Sequence, residues 1–305
     1  MSPRIKAYTY LILVSLIWGI AAPVIKFTLR GIGPYPFLTY RFFIASVFAL
    51  VFFVIFSKKL HILIKNLGGV IFYGFVTTTL ALGLLFLGLN RTTVLDATLI
   101  SSVSPLVVAI AGVIFFKENI TNQEKLGISI AFLGTFVTVS EPLFRNGLAN
   151  NINQLTGNLL IVGYLLANAF SSVWAKRLGR KGVDSFLLSN SSFIVGLLTL
   201  LPLSFFLLSV PDLIKEAVNL PLQYQAGVFY MALISGTIAY ALWIRAHKTI
   251  EISEAGVFYY LTPLFAAPLG VFWLGEKITP PFITGALLIA LGVIIAEYKR
   301  RSYNS

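Results

Sequence analysis

The residues of this sequence that could bind another molecule are neutral polar and aromatic side chains inside long apolar stretches. We single out six of them, Trp18, Thr78, Ser101, Asn168, Tyr240 and Tyr259. Hydroxyl, amide and indole groups offer hydrogen bonds to a small molecule, and aromatic rings contact its apolar part. This composition predicts an amphipathic cavity for a small neutral or zwitterionic solute. For serine and threonine there is an alternative, since their hydroxyls also bond carbonyls of their own helix.

Side chains that catalyse reactions or hold metals are scarce. The chain has no cysteine, which excludes thiolate nucleophiles and cysteine metal ligands. Its two histidines, His61 and His247, cannot form a histidine-based metal site by themselves. The sequence has no phosphate-binding glycine loop, zinc-protease motif or nucleophile-elbow motif. We therefore expect no metal, no cofactor and no enzyme activity, with a lipid-acting enzyme as the alternative from another class.

The elements that position these residues are apolar segments long enough to cross a membrane. Apolar residues make up 57% and charged residues 11% of the 305-residue chain, against about 25% charged in soluble domains. This excludes an ordinary soluble globule and predicts an all-α membrane protein embedded in a lipid bilayer. A membrane helix needs about 20 mostly apolar residues. Ten spans are predicted, at 8–29, 37–56, 68–89, 94–116, 123–140, 157–176, 186–209, 226–246, 253–274 and 280–297.

Positive charge is distributed unevenly between the predicted loops. The formal net charge is +12, and 16 of the 23 Lys and Arg residues lie at the two termini and in the loops after even-numbered spans. Short cytoplasmic loops are enriched in Lys and Arg, which predicts a multi-pass protein of the cell (inner) membrane with both termini cytoplasmic. The excess charge therefore indicates topology, and no nucleic-acid partner is expected.

The two halves of the chain are related by a repeat. Pro105 corresponds to Pro263 at an offset of 158, and the same offset pairs further glycine and acidic residues in the same order. Five spans in each half mean that the second copy enters the membrane from the opposite side, so repeats 1–145 and 146–305 are inverted. An Asn- and Gly-rich linker at 141–156 is predicted between them. Inverted repeats are typical of transporters, and a duplicated structural protein is the alternative.

Glycines mark spans 5 and 10 as structural. Gly127 and Gly134 in span 5, and Gly285 and Gly292 in span 10, are seven residues apart and share one helical face. Small residues let helices approach closely in lipid. The two spans are therefore interpreted as a contact between repeats or as the interface of a homodimer.

Prolines and one arginine complete the predicted site. Pro23, Pro105 and Pro263 lie within spans, where proline removes a helical hydrogen bond, and they are predicted kinks or hinges. Arg41 lies a few residues into span 2, where a charge is costly. It is interpreted as binding either an anionic substrate group or helix carbonyls. No Asp or Glu lies near the middle of a predicted span, which argues against a proton or cation relay.

Other charged residues lie near the predicted span ends. Asp96 and Glu254 begin spans 4 and 9, where an acid favours the helix dipole, so they are interpreted as helix caps. Glu118 and Glu276 precede spans 5 and 10 and are interpreted as anchoring loops near helix N-termini. Lys26 is predicted to extend its amine to the membrane interface.

A family resemblance rests on residues found along nearly the whole chain. They are Trp18-Gly19, Pro23 and Lys26, then Arg41-Phe42 and Ala45, and the repeated Pro105/Pro263, Glu118/Glu276, Thr121/Thr279, Gly127/Gly285 and Gly134/Gly292. In these residues the chain resembles the drug/metabolite transporter superfamily, specifically the EamA-type ten-helix permeases. The resemblance implies alternating access, with spans 1, 3, 4, 6, 8 and 9 lining the pathway of a small-molecule substrate. It also implies amino-acid export, with multidrug, nucleotide-linked-sugar or other metabolite transport as alternatives.

Overall fold

The computed structural model describes residues 3–55, 60–117, 119–145, 148–207, 209–246, 249 and 257–298. Throughout these residues the regular secondary structure is helical. Eight helices are long and apolar enough to cross a membrane, and two shorter apolar helices, Phe258–Phe272 and Pro280–Ala296, complete ten spans. The prediction of an all-α membrane protein with ten spans is confirmed.

We number the ten spanning helices in chain order. They are α1 (Pro3–Thr28), α2 (Pro34–Ile55), α3 (Leu67–Arg91), α4 (Val94–Phe116), α5 (Asn122–Arg145), α6 (Leu148–Arg180), α7 (Ser185–Leu207), α8 (Leu222–Ala246), α9 (257–272) and α10 (Pro280–Tyr298). Two shorter helices, Leu60–Lys65 and Val210–Val218, precede α3 and α8. Large apolar side chains such as Phe206 and Phe272 are 88% exposed on the outside of the bundle, as expected of surfaces that face lipid.

The segment 141–156, which was predicted as a linker between the repeats, is mostly helical, so that prediction is wrong. Helix α5 continues to Arg145 and α6 begins at Leu148, so most of the linker is helical. The physical reason is a tertiary contact, because Glu141 is 1% exposed and its Oε1 accepts a 2.6 Å hydrogen bond from the Thr279 hydroxyl. That bond joins the end of α5 to the start of α10, and tertiary packing of this kind overrides local composition.

Pro105 and Pro263 interrupt their helices at equivalent places in the two repeats. Helix α4 consists of the segments Val94–Ser101 and Ser104–Phe116, and Pro105 lies in the first turn of the second segment. In α9 a 3₁₀ turn precedes an α-helical segment that again carries Pro263 in its first turn. Proline is tolerated there because the first-turn N–H groups have no helical partner. Helix α1, by contrast, continues through Pro23.

Helices α3 and α8 share a second irregularity. Each contains a π-helical segment, Phe75–Ala81 in α3 and Tyr230–Ile238 in α8. Both segments occupy the middle of their helix, and π-helical turns are frequent at functional sites. The same irregularities therefore occur in equivalent helices of the two repeats, interruptions in α4 and α9 and π segments in α3 and α8.

Helices of each repeat pack mainly against helices of the other repeat. Helix α1 packs against α8 and α9 of the second repeat, and α6 packs against α3 and α4 of the first. Helix α2 pairs with α7, and α5 pairs with α10. Each of these pairings joins one repeat to the other, so the interface between repeats runs through the centre of the molecule.

The glycines of α5 and α10 interlock. A Cβ atom on Gly127 would lie 2.5 Å from the Gly292 carbonyl oxygen, and one on Gly134 would lie 2.7 Å from the Gly285 carbonyl oxygen. Gly127 is the repeat partner of Gly285, and Gly134 of Gly292. The two contacts therefore interchange when the repeats are exchanged, as an inverted two-fold relation requires. Of the two predicted roles the structure contains the contact between repeats, and the homodimer stays a prediction.

Candidate functional site

Four aromatic side chains meet where α1, α8 and α9 come together. The Trp18 ring lies 5.6 Å from Tyr240 and 5.4 Å from Tyr259, measured between ring centroids. Trp243 lies 5.5 Å from Trp18 and 5.0 Å from Tyr259. We call these four residues the aromatic cluster. Three of its members belong to the predicted site, and Trp243 is added by its position one turn after Tyr240.

Hydrogen bonds to backbone carbonyls hold the three helices of the cluster together. The Trp18 indole donates a 3.2 Å bond to the Ser235 carbonyl, which lies in the π segment of α8. In return the Tyr230 hydroxyl donates a 2.6 Å bond to the Ile17 carbonyl of α1. The Ser15 hydroxyl donates a 2.7 Å bond to the Phe258 carbonyl of α9. The orientation of Trp18 is therefore set by partners on the other repeat.

Two tyrosines that the sequence analysis did not select lie inside helices expected to line the pathway. Tyr73 of α3 is 8% exposed, and Tyr164 of α6 is partly buried against the hydrophobic core. A tyrosine inside an apolar span, on a helix expected to line the pathway, is the signal that could have identified them.

Thr78, Ser101 and Asn168 are separate from the aromatic cluster in the described contacts. The buried Thr78 hydroxyl donates a 2.6 Å bond to the Gly74 carbonyl of its own helix. Asn168 donates a 3.2 Å bond from its amide to the Ser104 hydroxyl, which joins α6 to α4 beside Pro105. Ser101 is half-buried at the end of the first segment of α4. For Thr78 the structure therefore contains the alternative bond within its own helix.

Arg41 is buried beside the aromatic cluster. Its side chain is 4% exposed, and its guanidinium carbon lies 5.0 Å from the Phe42 ring centroid and 5.7 Å from that of Phe86. Gly236 of α8 borders it, since a Cβ atom there would lie 3.8 Å from Nη2 of Arg41. Among the residues that the structure describes, its Nε and Nη1 atoms have no hydrogen-bond partner. Neither atom therefore makes the helix-carbonyl bond that was one of its two predicted roles.

A second group of charges closes one end of the bundle. Lys26, at the end of α1, donates 2.7 Å bonds from its Nζ to the carbonyls of Leu89 and Thr92. The Glu276 carboxylate accepts bonds of 2.6 and 2.9 Å from the backbone N–H groups of Val94 and Leu95. We call this end of the bundle the Lys26 end. Carbonyls at the end of α3 therefore hold the amine of Lys26, and its predicted extension to the interface stays a prediction.

Of the acidic residues at the Lys26 end, Asp96 differs from its predicted role as a helix cap. The Asp96 carboxylate is 3% exposed and accepts bonds from the amides of Gln154, at 2.8 Å, and Asn158, at 3.3 Å. The cap of α4 comes instead from the Thr93 hydroxyl and from Glu276. Glu276 does anchor a loop at a helix N-terminus, as predicted, but the helix is α4. The predicted roles of Glu118 and Glu254, and His247, lie outside the described residues.

Comparison with known proteins identifies similar chains along the whole length. The profile of the EamA-like transporter family matches residues 5–140 and 155–298. An uncharacterized transporter of Archaeoglobus fulgidus is 28% identical, over 97% of this chain and 100% of its own. The uncharacterized transporter YyaM of Bacillus subtilis is 27% identical, over 96% of this chain and 94% of its own. One protein of known crystal structure superposes with a TM-score of 0.64 over 98% of this chain and 99% of its own, and at 17% identity this likeness concerns the fold alone.

Proposed function

Since the chain belongs to the EamA-like transporter family, we propose that it exports an amino acid or a similar small zwitterionic metabolite by alternating access. Membership makes the protein a multi-pass membrane transporter of a small molecule and not an enzyme. The observation that carries the proposal is the aromatic cluster, in which Trp18 of the first repeat meets Tyr240, Trp243 and Tyr259 of the second.

The composition of the site supports an amphipathic solute. Indole and phenol groups contact an apolar side chain and still offer hydrogen bonds to a polar group. The described hydrogen bonds place the buried carboxylates Asp96 and Glu141 in the network at the Lys26 end, with Gln154 and Thr279 as partners. These two described carboxylates are therefore already bonded within the protein, which favours a zwitterion over a cation as the solute.

The paired helix irregularities support alternating access. Pro105 and Pro263 stand at equivalent breaks in α4 and α9, so each repeat has a bend point beside the site. A helix break lacks the full ladder of hydrogen bonds and bends at lower cost than a continuous helix. Exchange of conformations between two inverted repeats opens the site alternately to the two sides. In this mechanism Pro105 and Pro263 act as hinges, whereas Pro23 bends α1 without interrupting it.

The charge distribution supports an orientation for the molecule. Lys and Arg residues favour the cytoplasmic side, which places both termini in the cytoplasm and the Lys26 end outside the cell. With this orientation in the cell (inner) membrane, the bonds of Lys26 and Glu276 close the external side of the pathway. An exporter takes up its solute from the cytoplasm in that state.

Counterflow in proteoliposomes tests the proposal. Purified protein is reconstituted with unlabelled solute inside, and uptake of the radiolabelled solute is measured for a panel of amino acids. We expect saturable counterflow for at least one amino acid and its loss in Trp18→Ala, while Trp273→Ala, outside the aromatic cluster, keeps it. Counterflow restricted to drugs or nucleotide-linked sugars would overturn amino-acid export, and flux without saturation would indicate a channel.

A further inference from the structure

One positive charge inside the protein lacks the hydrogen bonds that such a charge needs. Arg41 is 4% exposed, and its Nε and Nη1 atoms have no hydrogen-bond partner among the described residues. A guanidinium stays protonated in proteins, so the charge cannot be removed by loss of a proton. An unpaired buried charge is among the costliest features of a folded chain. The arrangement is therefore complete only when an anion is bound.

The position of the side chain leaves its donors available. Arg41 lies near the rings of Phe42 and Phe86, at 5.0 and 5.7 Å from their centroids, so its contacts are with aromatic carbon and leave Nε and Nη1 unused. Gly236 of α8 borders the same group, since a Cβ atom there would lie 3.8 Å from Nη2 of Arg41. The absence of a side chain at Gly236 keeps room beside the guanidinium.

Three interior carboxylates that the structure describes do not fill this place. Asp96 accepts bonds from the side-chain amides of Gln154 and Asn158, and Glu276 accepts bonds from the start of α4. Glu141 accepts the Thr279 hydroxyl. All three carboxylates belong to the network at the Lys26 end. Within the described part of the chain, Nε and Nη1 of Arg41 have no carboxylate partner, so an anion from solution can occupy this place.

The neighbours of Arg41 indicate which anion fits. A Cβ atom on Gly236 would lie 3.8 Å from Nη2 of Arg41, and the preceding residue, Ser235, accepts the Trp18 indole of the aromatic cluster through its carbonyl. A guanidinium fork matches the two oxygens of a carboxylate. A solute that carries a carboxylate next to an apolar group contacts both features at once.

We propose that Arg41 binds the carboxylate of the transported solute while the aromatic cluster contacts its apolar part. This inference rests on the proposed function and narrows it to one class, carboxylate-bearing solutes with an apolar side chain. The Ser235-Gly236 segment of α8 joins the two parts of the site, because the Ser235 carbonyl accepts the Trp18 indole and Gly236 borders Arg41. Arg41 then determines specificity, and its loss affects solutes with a carboxylate far more than analogues that lack the carboxylate.

The experiment compares leucine with leucinamide and isopentylamine, which share its side chain and lack its carboxylate. Binding of each compound to the purified protein is measured by isothermal titration calorimetry, and competition is measured against leucine counterflow in proteoliposomes. Because hydrogen bonds to charged groups are worth about 1.5–3 kcal/mol, we expect the two analogues without a carboxylate to bind ~10- to 100-fold more weakly. In Arg41→Gln this preference disappears, and in Arg41→Lys part of it remains.

Arg177→Gln is the matched control. Arg177 also lies over aromatic rings, 5.7 Å from both Phe115 and Trp174, but it is exposed at the opposite end from Lys26. This variant should keep the full preference for leucine. Equal binding of leucine and leucinamide by the unmodified protein overturns the inference, whatever the folding of the variants. Selective binding of leucine without any counterflow would instead support the Arg41 site and overturn transport of amino acids.

Discussion

Two cations of this protein, the partly buried Lys26 and the buried Arg41, have opposite surroundings. The amine of Lys26 donates to the carbonyls of Leu89 and Thr92 at 2.7 Å each, and joins α1 to the turn between α3 and α4. The guanidinium of Arg41 has aromatic rings beside it and no hydrogen-bond partner for Nε and Nη1 in the described part of the chain. The difference indicates that the charge of Lys26 stabilises the fold, whereas the charge of Arg41 is available to bind a ligand.

The comparison predicts opposite effects on stability, and the largest is at Lys26. In Lys26→Met the carbonyls of Leu89 and Thr92 lose their donor in a partly buried place. Since hydrogen bonds to charged groups contribute about 1.5–3 kcal/mol each, we expect the free energy of unfolding to fall by about 2–4 kcal/mol. Titration with SDS in mixed micelles measures it. Arg30→Met, at an exposed cation four residues away, is the control. Equal stability of the two variants would contradict the role of Lys26.

The second effect has the opposite sign. Arg41→Met removes an unpaired buried charge and keeps apolar contact with Phe42 and Phe86. Replacement of buried charges by apolar residues often stabilises proteins by about 1–4 kcal/mol, so we expect the free energy of unfolding without solute to rise by about 1–3 kcal/mol. Arg177→Met should change it little. A loss of stability in Arg41→Met would show that Arg41 is bonded within the fold, and the contrast with Lys26 would fail.

A smaller effect on stability tests Glu276 as a partly buried helix cap. Glu276→Gln keeps one acceptor oxygen for Val94 and Leu95 but loses the charge, and we expect the free energy of unfolding to fall by about 1–2 kcal/mol. The control is Glu124→Gln, because Glu124 accepts the exposed N–H of Thr121 at 2.6 Å in a capping box. Exposed interactions contribute less, so the same SDS titration should separate the two variants. Similar losses in both would place Glu276 at a solvated surface.

The smallest effects sharpen the comparison through two glycines, one beside each charged group. A Cβ atom on Gly270 would lie 3.0 Å from Oε2 of Glu276, so Gly270→Ala should lower the free energy of unfolding by about 0.5–1 kcal/mol. Gly236→Ala narrows the space beside Arg41, and we expect leucine to bind about 3- to 10-fold more weakly in calorimetry. Gly83→Ala is the control for both, since nothing lies within 4 Å of its added carbon. Weaker leucine binding in Gly270→Ala, with a loss of stability alone in Gly236→Ala, would contradict the roles assigned to the two regions.

Much of the architecture could be predicted from local sequence signals. The apolar segments predicted the ten spans, and the repeat predicted equivalent interruptions at Pro105 and Pro263. The glycine spacing in spans 5 and 10 predicted a close helix contact, and its partner was left open between the repeats and a second copy of the chain. These predictions succeed because span length, proline geometry and side-chain size act within one helix turn or one helix face.

The polar residues at the Lys26 end could not be assigned in the same way. Asp96 stands where a cap of α4 is expected, yet the cap comes from Thr93 and from Glu276, a residue far along the chain. The π segments of α3 and α8 also have no local signature in the sequence. A carboxylate at a helix start has several partners of similar energy, and only the packed chain decides between them.

The sequence by itself determined the class of the protein, its ten spans, its inverted repeats and the chemical types available at its centre. The tertiary structure alone decided which of those side chains meet. Trp18 reaches the Ser235 carbonyl across 217 residues of chain, and Arg41 comes to lie beside Gly236 of the other repeat. The physical reason is that a helix specifies its own hydrogen bonds through neighbours along the chain, whereas side-chain partners depend on how the helices of the two repeats cross.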